Sequence, residues 1–444
     1  MIRPMLAANG RSTPAATPSQ RVSLLRGARA ALLALTCALA CALAPAASAA
    51  GDPTVIVLSF DGVAHDALDA PDLDALARIQ REGARAERLV PVFPSLTFPN
   101  HVSLATGAPP DVHGIVLNAF RDEKRGRFHY GNDASWIEAE PIWVAAERQG
   151  VRSAVYFWVG SETPWQGVSA SYVMRPFDES VDESAKVAQI LAWLDLPPPE
   201  RPRLVLSWWH GTDKMGHRFG PKHPRLAAAL RSQDHALAAL LAGIDARGGW
   251  GDTTLLVVSD HGMAEIADSV DLGRMLRDAG IGCDAYAGGG VAQVWLDDPS
   301  RRDAALALLR AVPGVAVYRR DALPAAWRYR HPTRTGDLVA LATPPVALVD
   351  GGSESSLLSR ALRHFGIGLG GHGYDPARDD MAGIFVALGR GVPAGVRLGP
   401  VRALDVAPTV AGLLGIAPPK QSEGTPIAGI GGPPAQPAAE GGGR

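Results

Sequence analysis

Short unbroken apolar runs alternate along this chain with segments whose apolar positions recur every three to four residues. Thr54-Val55-Ile56-Val57-Leu58-Ser59-Phe60 is one such run, and residues 153–159, 203–209, 253–259 and 383–388 are others. Continuous Val/Ile/Leu runs of this length suit strands of a parallel sheet covered on both faces. Residues 184–194 carry apolar side chains at helical spacing and stop before Pro197-Pro198-Pro199, and residues 224–244 read as a longer helix that begins at a proline. The alternation predicts an α/β chain with a mostly parallel central sheet and helices on both faces. Ligands of such sheets gather at the carboxyl ends of the strands. Between about residues 264 and 370 the pattern suggests a smaller α/β cap inserted in the scaffold, with a helix at 268–278, a strand at 291–296, a helix at 301–311 and a strand at 315–318. After Pro418 the chain turns rich in Gly and Pro, and a loose tail is expected.

The first fifty residues stand apart. They hold Arg3, Arg11, Arg21, Arg26 and Arg29 and no acid, then an apolar run at 30–44 and the small-residue stretch Pro45-Ala46-Ala47-Ser48-Ala49-Ala50. A basic start, an apolar middle and an A-x-A end describe a secretory signal, with cleavage expected after Ala49 or Ala50. The run is too short to cross a bilayer, which takes ~20 residues. The expected plan is therefore a signal peptide at 1–50, a catalytic core in two parts (51–263 and 371–417), an inserted cap at 264–370 and a tail at 418–444. Composition narrows the function. With 47% hydrophobic and 20% charged residues, and 43 basic against 45 acidic side chains, the chain matches neither disorder nor a specific nucleic-acid binder. Beyond residue 50 the balance is 38 to 45, a net charge of −7, and Cys283 is the sole cysteine, so no internal disulfide is expected. No second apolar stretch approaches spanning length, and a soluble periplasmic or secreted protein of unspecified oligomeric state follows.

The chemistry lies in where Asp and His fall. Asp61 ends the first strand, Asp260-His261 ends the run at 253–259, and Asp213 with His217 follows the run at 203–209. His372, in Gly370-Gly371-His372-Gly373, completes three Asp and three His, a mixed oxygen and nitrogen donor set that suits zinc and is large enough for two ions. Two divalent cations ~3.5–4 Å apart can stabilise both the attacking and the leaving oxygen at phosphorus. Thr97 lies in Phe93-Pro94-Ser95-Leu96-Thr97-Phe98-Pro99-Asn100-His101, between prolines and at the start of a helix, where free N–H groups favour an anion. It is a candidate nucleophile, activated by coordination, although a threonine there can also serve simply as a helix cap. Asn118 offers a neutral donor, which suits the single charge of a diester; monoester enzymes more often present Arg or Lys.

Ser59-Phe60-Asp61-Gly62, the Thr97 segment, His113-Gly114-Ile115-Val116-Leu117-Asn118, Asp213-Lys214-Met215-Gly216-His217, Ser259-Asp260-His261-Gly262-Met263 and Gly371-His372-Gly373-Tyr374-Asp375 together resemble the nucleotide pyrophosphatase/phosphodiesterase family of the alkaline phosphatase superfamily. The likeness runs from about 53 to 417. It implies an alkaline-phosphatase-like fold and two zinc ions, one held by Asp213, His217 and His372 and the other by Asp61, Thr97, Asp260 and His261. It further implies in-line attack by Thr97, a covalent phospho-threonine-type intermediate, charge stabilisation by Asn118 and release of nucleoside 5′-monophosphates from a small-molecule nucleotide or diester. Phe98 and Phe177 would sandwich the base, with Trp158 lining the slot; stacking contributes ~1–3 kcal/mol per base. Two departures adjoin this slot: Trp208-Trp209-His210-Gly211-Thr212 where relatives carry acids and a proline, and Val159 where they often carry proline. An alkaline phosphomonoesterase of the same superfamily and a lipid-directed phosphodiesterase are the alternatives. A sulfatase would need a Cys/Ser-x-Pro-x-Arg segment, which the Thr97 region lacks, and a non-catalytic binding protein would be expected to lose ligands.

Overall fold

The computed structural model describes residues 52–350 and 369–431. The expected signal segment, part of the inserted region and residues 432–444 lie outside them. Eight strands form the central sheet: β1 (Thr54–Phe60), β2 (Ala84–Ala86), β3 (Ser153–Tyr156), β4 (Tyr172–Met174), β5 (Leu204–Trp209), β6 (Thr253–Val258), β7 (Phe385–Gly389) and β8 (Val396–Leu398), in the spatial order β8-β2-β7-β6-β1-β5-β3-β4. All pairings are parallel except those of β7, which runs antiparallel to both β6 and β2. The run at 383–388, expected as one more strand of the parallel set, runs antiparallel; the short strands β2, β4 and β8 have no counterpart among the expected runs, and the run expected at 153–159 is a strand only to Tyr156.

Both faces of the sheet are covered at its centre, which is why β1, β5 and β6 carry no polar alternation. Val55 and Val57 of β1 join an apolar cluster with the helices Thr97–Thr106 (α1), Ile142–Arg148 and Val406–Leu414. Ile56, Leu58 and Phe60 face the opposite way, into a cluster with Asp74–Glu82, Glu183–Leu194 and Pro224–Ala246. All seven β1 residues are buried, and each apolar one contributes roughly 1.5–3 kcal/mol over exposure. β1 lies between β5 and β6, so the three strands whose ends carry Asp and His are adjacent.

A separate antiparallel sheet orders Cys283–Gly288, Val291–Leu296, Leu338–Ala342 and Val315–Arg319 side by side, and the helices Leu272–Asp278 and Arg302–Arg310 pack on it in a third apolar cluster. The helix expected at 268–278 starts late. Residues Asp268–Val270 pair with Val346–Leu348 as a short strand, and the Asp271 carboxylate accepts from Arg274 N at 2.8 Å, capping the helix at Leu272. The expectation of a loose tail from 418 onward is corrected for residues 418–431. Ile427 and Ile430 are buried in the first cluster, and Glu423 N and Ile427 N donate to Gly107 O and Thr409 Oγ1, both at 2.8 Å. Two isoleucines among the glycines and prolines are enough apolar surface to anchor this segment.

Candidate metal centre and active site

The ends of β1, β5 and β6 bring the donors together. Past Phe60, Asp61 is held by its own N–H, which donates to Trp209 O on the adjacent strand at 3.0 Å. Gly62 follows with φ +70°, and its N–H donates to Asp260 Oδ1 at 3.2 Å. A Cβ at Gly62 would lie 2.9 Å from Asp213 Oδ1, so both the backbone angle and the close approach require glycine. After β5 the chain enters the helix Gly211–Phe219 (α2), which sets Asp213 and His217 four residues apart on one face.

The donor atoms of Asp213, His217 and His372 all lie within 4.8 Å of one another, and so do those of Asp61, Asp213 and His261. Asp213 is thus common to both groups. Asp260 and Thr97 adjoin the second: Asp260 Oδ2 is 3.1 Å and Thr97 Oγ1 3.3 Å from His261 Nε2. Each histidine is anchored by its other nitrogen. His217 Nδ1 donates to Gly370 O at 3.1 Å, His261 Nδ1 to Gly262 O at 2.9 Å and His372 Nδ1 to Ser95 O at 3.1 Å. All three therefore present an Nε2 lone pair to the same space, with His217 and His372 Nε2 only 2.9 Å apart. Backbone anchoring of this kind fixes a ligand imidazole in its tautomer and direction.

The electrostatics describe a site that wants cations. Asp61 Oδ1, Asp213 Oδ1 and Asp260 Oδ2 are buried without a hydrogen-bond partner, an arrangement that costs several kcal/mol per charge unless something compensates it. Burial, then the Asp260 and Asp213 charges, push the Asp61 carboxyl well above its ordinary range. Burial pushes Asp260 the same way, but the His261 and His101 imidazoles outweigh it and hold Asp260 low. Burial, followed by His261 and His217, drives His372 well below a free imidazole. Three anchored nitrogens and three orphaned carboxylate oxygens fit divalent zinc-type ions.

Thr97 occupies the first position of α1, whose ten residues are all buried. The loop leading to it is tied down by Asn100, whose Oδ1 accepts from Val92 N at 2.7 Å and whose Nδ2 donates to Pro94 O and Leu96 O at 3.0 and 2.9 Å. Asn118 Oδ1 accepts from Phe98 N at 2.9 Å, which leaves its NH2 group to face the cleft beside Tyr130. His101 Nδ1 donates to Thr97 O at 2.9 Å and lies 3.3 Å from Asp260 Oδ2.

Asp61, Thr97, Asn118, Asp213, His217 and His372 line a cleft of about 780 Å³ together with Phe98, Phe177, Trp208, His210, Lys214 and Arg218. Phe98 is buried, with the Tyr130 ring edge-on at 5.3 Å. Phe177 is 39% exposed and stacks on Trp208 at 5.0 Å and 20°. Trp158, expected to line this slot, does not. β3 stops at Tyr156, Phe157 takes φ 64°, and Trp158 turns into the core at 2% exposure, where Nε1 donates to His101 O at 3.0 Å. Trp208 stands in its stead, and it also donates from Nε1 to Asp61 Oδ2 at 2.7 Å. A tryptophan one residue before the end of a strand that feeds a ligand helix was the available signal for it. Lys214 pairs with Glu179 at 3.1 Å, and the Arg218 guanidinium lies 5.2 Å from the Phe219 ring centre.

Residues 55–375 match the model of the type I phosphodiesterase/nucleotide pyrophosphatase family. An uncharacterized pyrophosphatase/phosphodiesterase of Schizosaccharomyces pombe is 34% identical over 352 residues, 76% of this chain and 71% of that protein. The mouse bis(5'-adenosyl)-triphosphatase enpp4 is 29% identical over 82% of this chain and 78% of its own length. Among solved structures, murine ectonucleotide pyrophosphatase/phosphodiesterase 5 superposes with a TM-score of 0.74 at 27% identity, covering 82% of this chain and 96% of that one. The same murine protein is known as an inactive threonine-to-alanine variant in complex with AMP. The mostly parallel sheet flanked by helices is the alkaline-phosphatase-like fold of these neighbours, and the chain belongs to the type I phosphodiesterase/nucleotide pyrophosphatase family.

Proposed function

We propose that this chain is an exported, two-zinc nucleotide pyrophosphatase/phosphodiesterase that uses Thr97 as nucleophile and releases nucleoside 5′-monophosphates. The observation that carries the reading is the convergence of three backbone-anchored Nε2 atoms and three unpartnered carboxylate oxygens beside Thr97 Oγ1. Asp213, His217 and His372 would hold one ion and Asp61, Asp260, His261 and Thr97 the other. Bound there, divalent ions supply charge neutralisation for the phosphoryl oxygens and lower the pKa of a hydroxyl or water.

The chain's own residues do the rest. α1 presents Thr97 Oγ1 at its amino end, where N–H groups and the helix dipole favour the anionic phosphoryl group. Asn118, oriented by Phe98 N, donates its amide N–H to a non-bridging oxygen. Thr97 Oγ1 releases its proton to solvent and forms a bond to phosphorus while the bond to the leaving oxygen breaks, and that oxygen takes up a proton from solvent. Water then adds to phosphorus, the Oγ1–P bond breaks and Thr97 regains a proton. Phe98, Phe177 and Trp208 form the apolar slot for the nucleobase. The solved AMP complex of the threonine-to-alanine relative supports both the nucleophile and the product class. Export rests on residues 1–50, and no helix among the described residues is long and apolar enough to cross a membrane. We read 264–370 as a cap inserted in the catalytic core. The test is Thr97→Ala, which should abolish hydrolysis of p-nitrophenyl thymidine 5′-monophosphate while metal content stays near two zinc per chain; retained turnover refutes the nucleophile.

A further inference from the structure

Arg334 is a guanidinium at 2% exposure in the segment between the strands Val315–Arg319 and Leu338–Ala342, far along the chain from every motif of the site. Each of its nitrogens is used. Nε donates to Asp122 Oδ2 at 2.7 Å, Nη1 to Gly114 O and Trp136 O, both at 2.8 Å, and Nη2 pairs with Glu138 Oε1 at 2.6 Å. Gly114 O and Asp122 lie on the two sides of Asn118 in sequence: Gly114 opens the turn that leads to it, and Asp122 ends the strand Ala119–Asp122 that leaves it. Asp122 is itself buried, and its Oδ1 accepts from Lys124 N and Arg125 N, closing the hairpin whose far strand returns to Tyr130 N, which donates to Asn118 O at 2.9 Å. A Cβ at Gly114 would sit 2.2 Å from Arg334 Nη1, so the turn and the guanidinium fit with no spare room.

We propose that Arg334 is a positioning residue for the reaction: it clamps both ends of the 114–122 segment and thereby fixes where the Asn118 amide meets the phosphoryl oxygen. The inference rests on the role of Asn118 proposed above. A planar guanidinium, whose N–H groups are fixed in direction and here reach four separate acceptors, suits this task better than a lysine. Displacing a transition-state donor by ~1 Å costs up to ~10²-fold in rate even when the donor is retained.

The test is a double-mutant cycle on the metal-loaded protein with p-nitrophenyl thymidine 5′-monophosphate, using wild type, Asn118→Ala, Arg334→Lys and the double variant. Asn118→Ala should lower kcat by ~10²-fold. Arg334→Lys should lower kcat by ~10-fold with KM within about twofold, and in the Asn118→Ala background it should change kcat by less than about twofold. If Arg334→Lys does not fold, Glu138→Gln, at the more exposed rim of the clamp, carries the same cycle with a smaller kcat effect. An equal fold-loss in both backgrounds, or a lowered melting temperature with wild-type kcat, overturns the clamp and leaves Arg334 as packing. Wild-type kcat in Asn118→Ala overturns the role of Asn118 itself, and the clamp with it.

Discussion

Trp208 joins two functions that can be separated by substitution. Its indole N–H donates to Asp61 Oδ2 at 2.7 Å, and its ring carries the stack with Phe177. A hydrogen bond to a charged acceptor contributes about 1.5–3 kcal/mol, which is roughly a 10- to 150-fold factor at 1.4 kcal/mol per decade. The aromatic pair adds about 0.5–1.5 kcal/mol, or roughly 2- to 10-fold, and only to a substrate that carries a base. Trp208→Phe keeps a ring and removes the donor; Trp208→Leu removes both. The assay is kcat/KM for p-nitrophenyl thymidine 5′-monophosphate beside methyl p-nitrophenyl phosphate, which has no base to stack. Trp208→Phe should lower both substrates by the same ~10- to 150-fold, because Asp61 loses its orientation for either. Trp208→Leu should lower the nucleoside substrate by a further ~2- to 10-fold and leave the methyl substrate at the Phe level. Wild-type turnover of the methyl substrate in Trp208→Phe would refute the tie to Asp61, and equal losses of both substrates in Trp208→Leu would refute the slot.

Three further outcomes follow from particular contacts. His113 is fully buried, donates from Nε2 to Ser103 Oγ at 3.0 Å, and burial lowers its pKa to about 3. The folded value lies below the unfolded one, so His113 contributes stability that is present above pH ~6.5 and lost as the pH falls toward 3, about 2 kcal/mol by pH 5; urea denaturation at pH 7 and 5 should show a smaller loss in His113→Gln than in wild type, and an identical loss contradicts the assignment. Gly62→Ala forces a methyl onto Asp213 Oδ1 and onto a left-handed backbone, so zinc content measured by atomic absorption should fall below two per chain, whereas a full complement would show that the turn relaxes freely. Ile427→Ala with Ile430→Ala should cost about 2–5 kcal/mol per site if the segment packs as described, and unchanged denaturation midpoints would show that it does not.

The strands that build the site were legible because they are nearly continuous apolar runs, interrupted only by Thr and Ser and by no charge: Thr54–Phe60 and Thr253–Val258 read as buried on both faces, and they are. The donor residues were legible because chemistry at strand ends is sparse, so Asp61, Asp213 and Asp260 stood out against apolar runs. Side-chain direction after a strand was not. Trp158 and Trp208 both follow or close an apolar run, and only the left-handed turn at Phe157 decides that the first goes to the core and the second to the cleft. Nor could the sequence reveal that Asp213 belongs to both donor groups, since that depends on the close approach at Gly62. Arg334 was invisible for a different reason: its partners lie more than 190 residues away, and one buried arginine among thirty-eight carries no local pattern.

Action on diesters and anhydrides through Thr97 is the heart of the proposed function. Its most direct measurement is the ratio of kcat/KM for p-nitrophenyl thymidine 5′-monophosphate to that for p-nitrophenyl phosphate, taken on the zinc-loaded protein and on Thr97→Ala. A ratio far above one is expected in the wild type, because the groups placed on the phosphoryl oxygens, Asn118 and the α1 amino end, include no cationic side chain for the second charge of a monoester, and no turnover of either substrate is expected in the variant. A ratio near or below one would contradict it and identify a phosphomonoesterase.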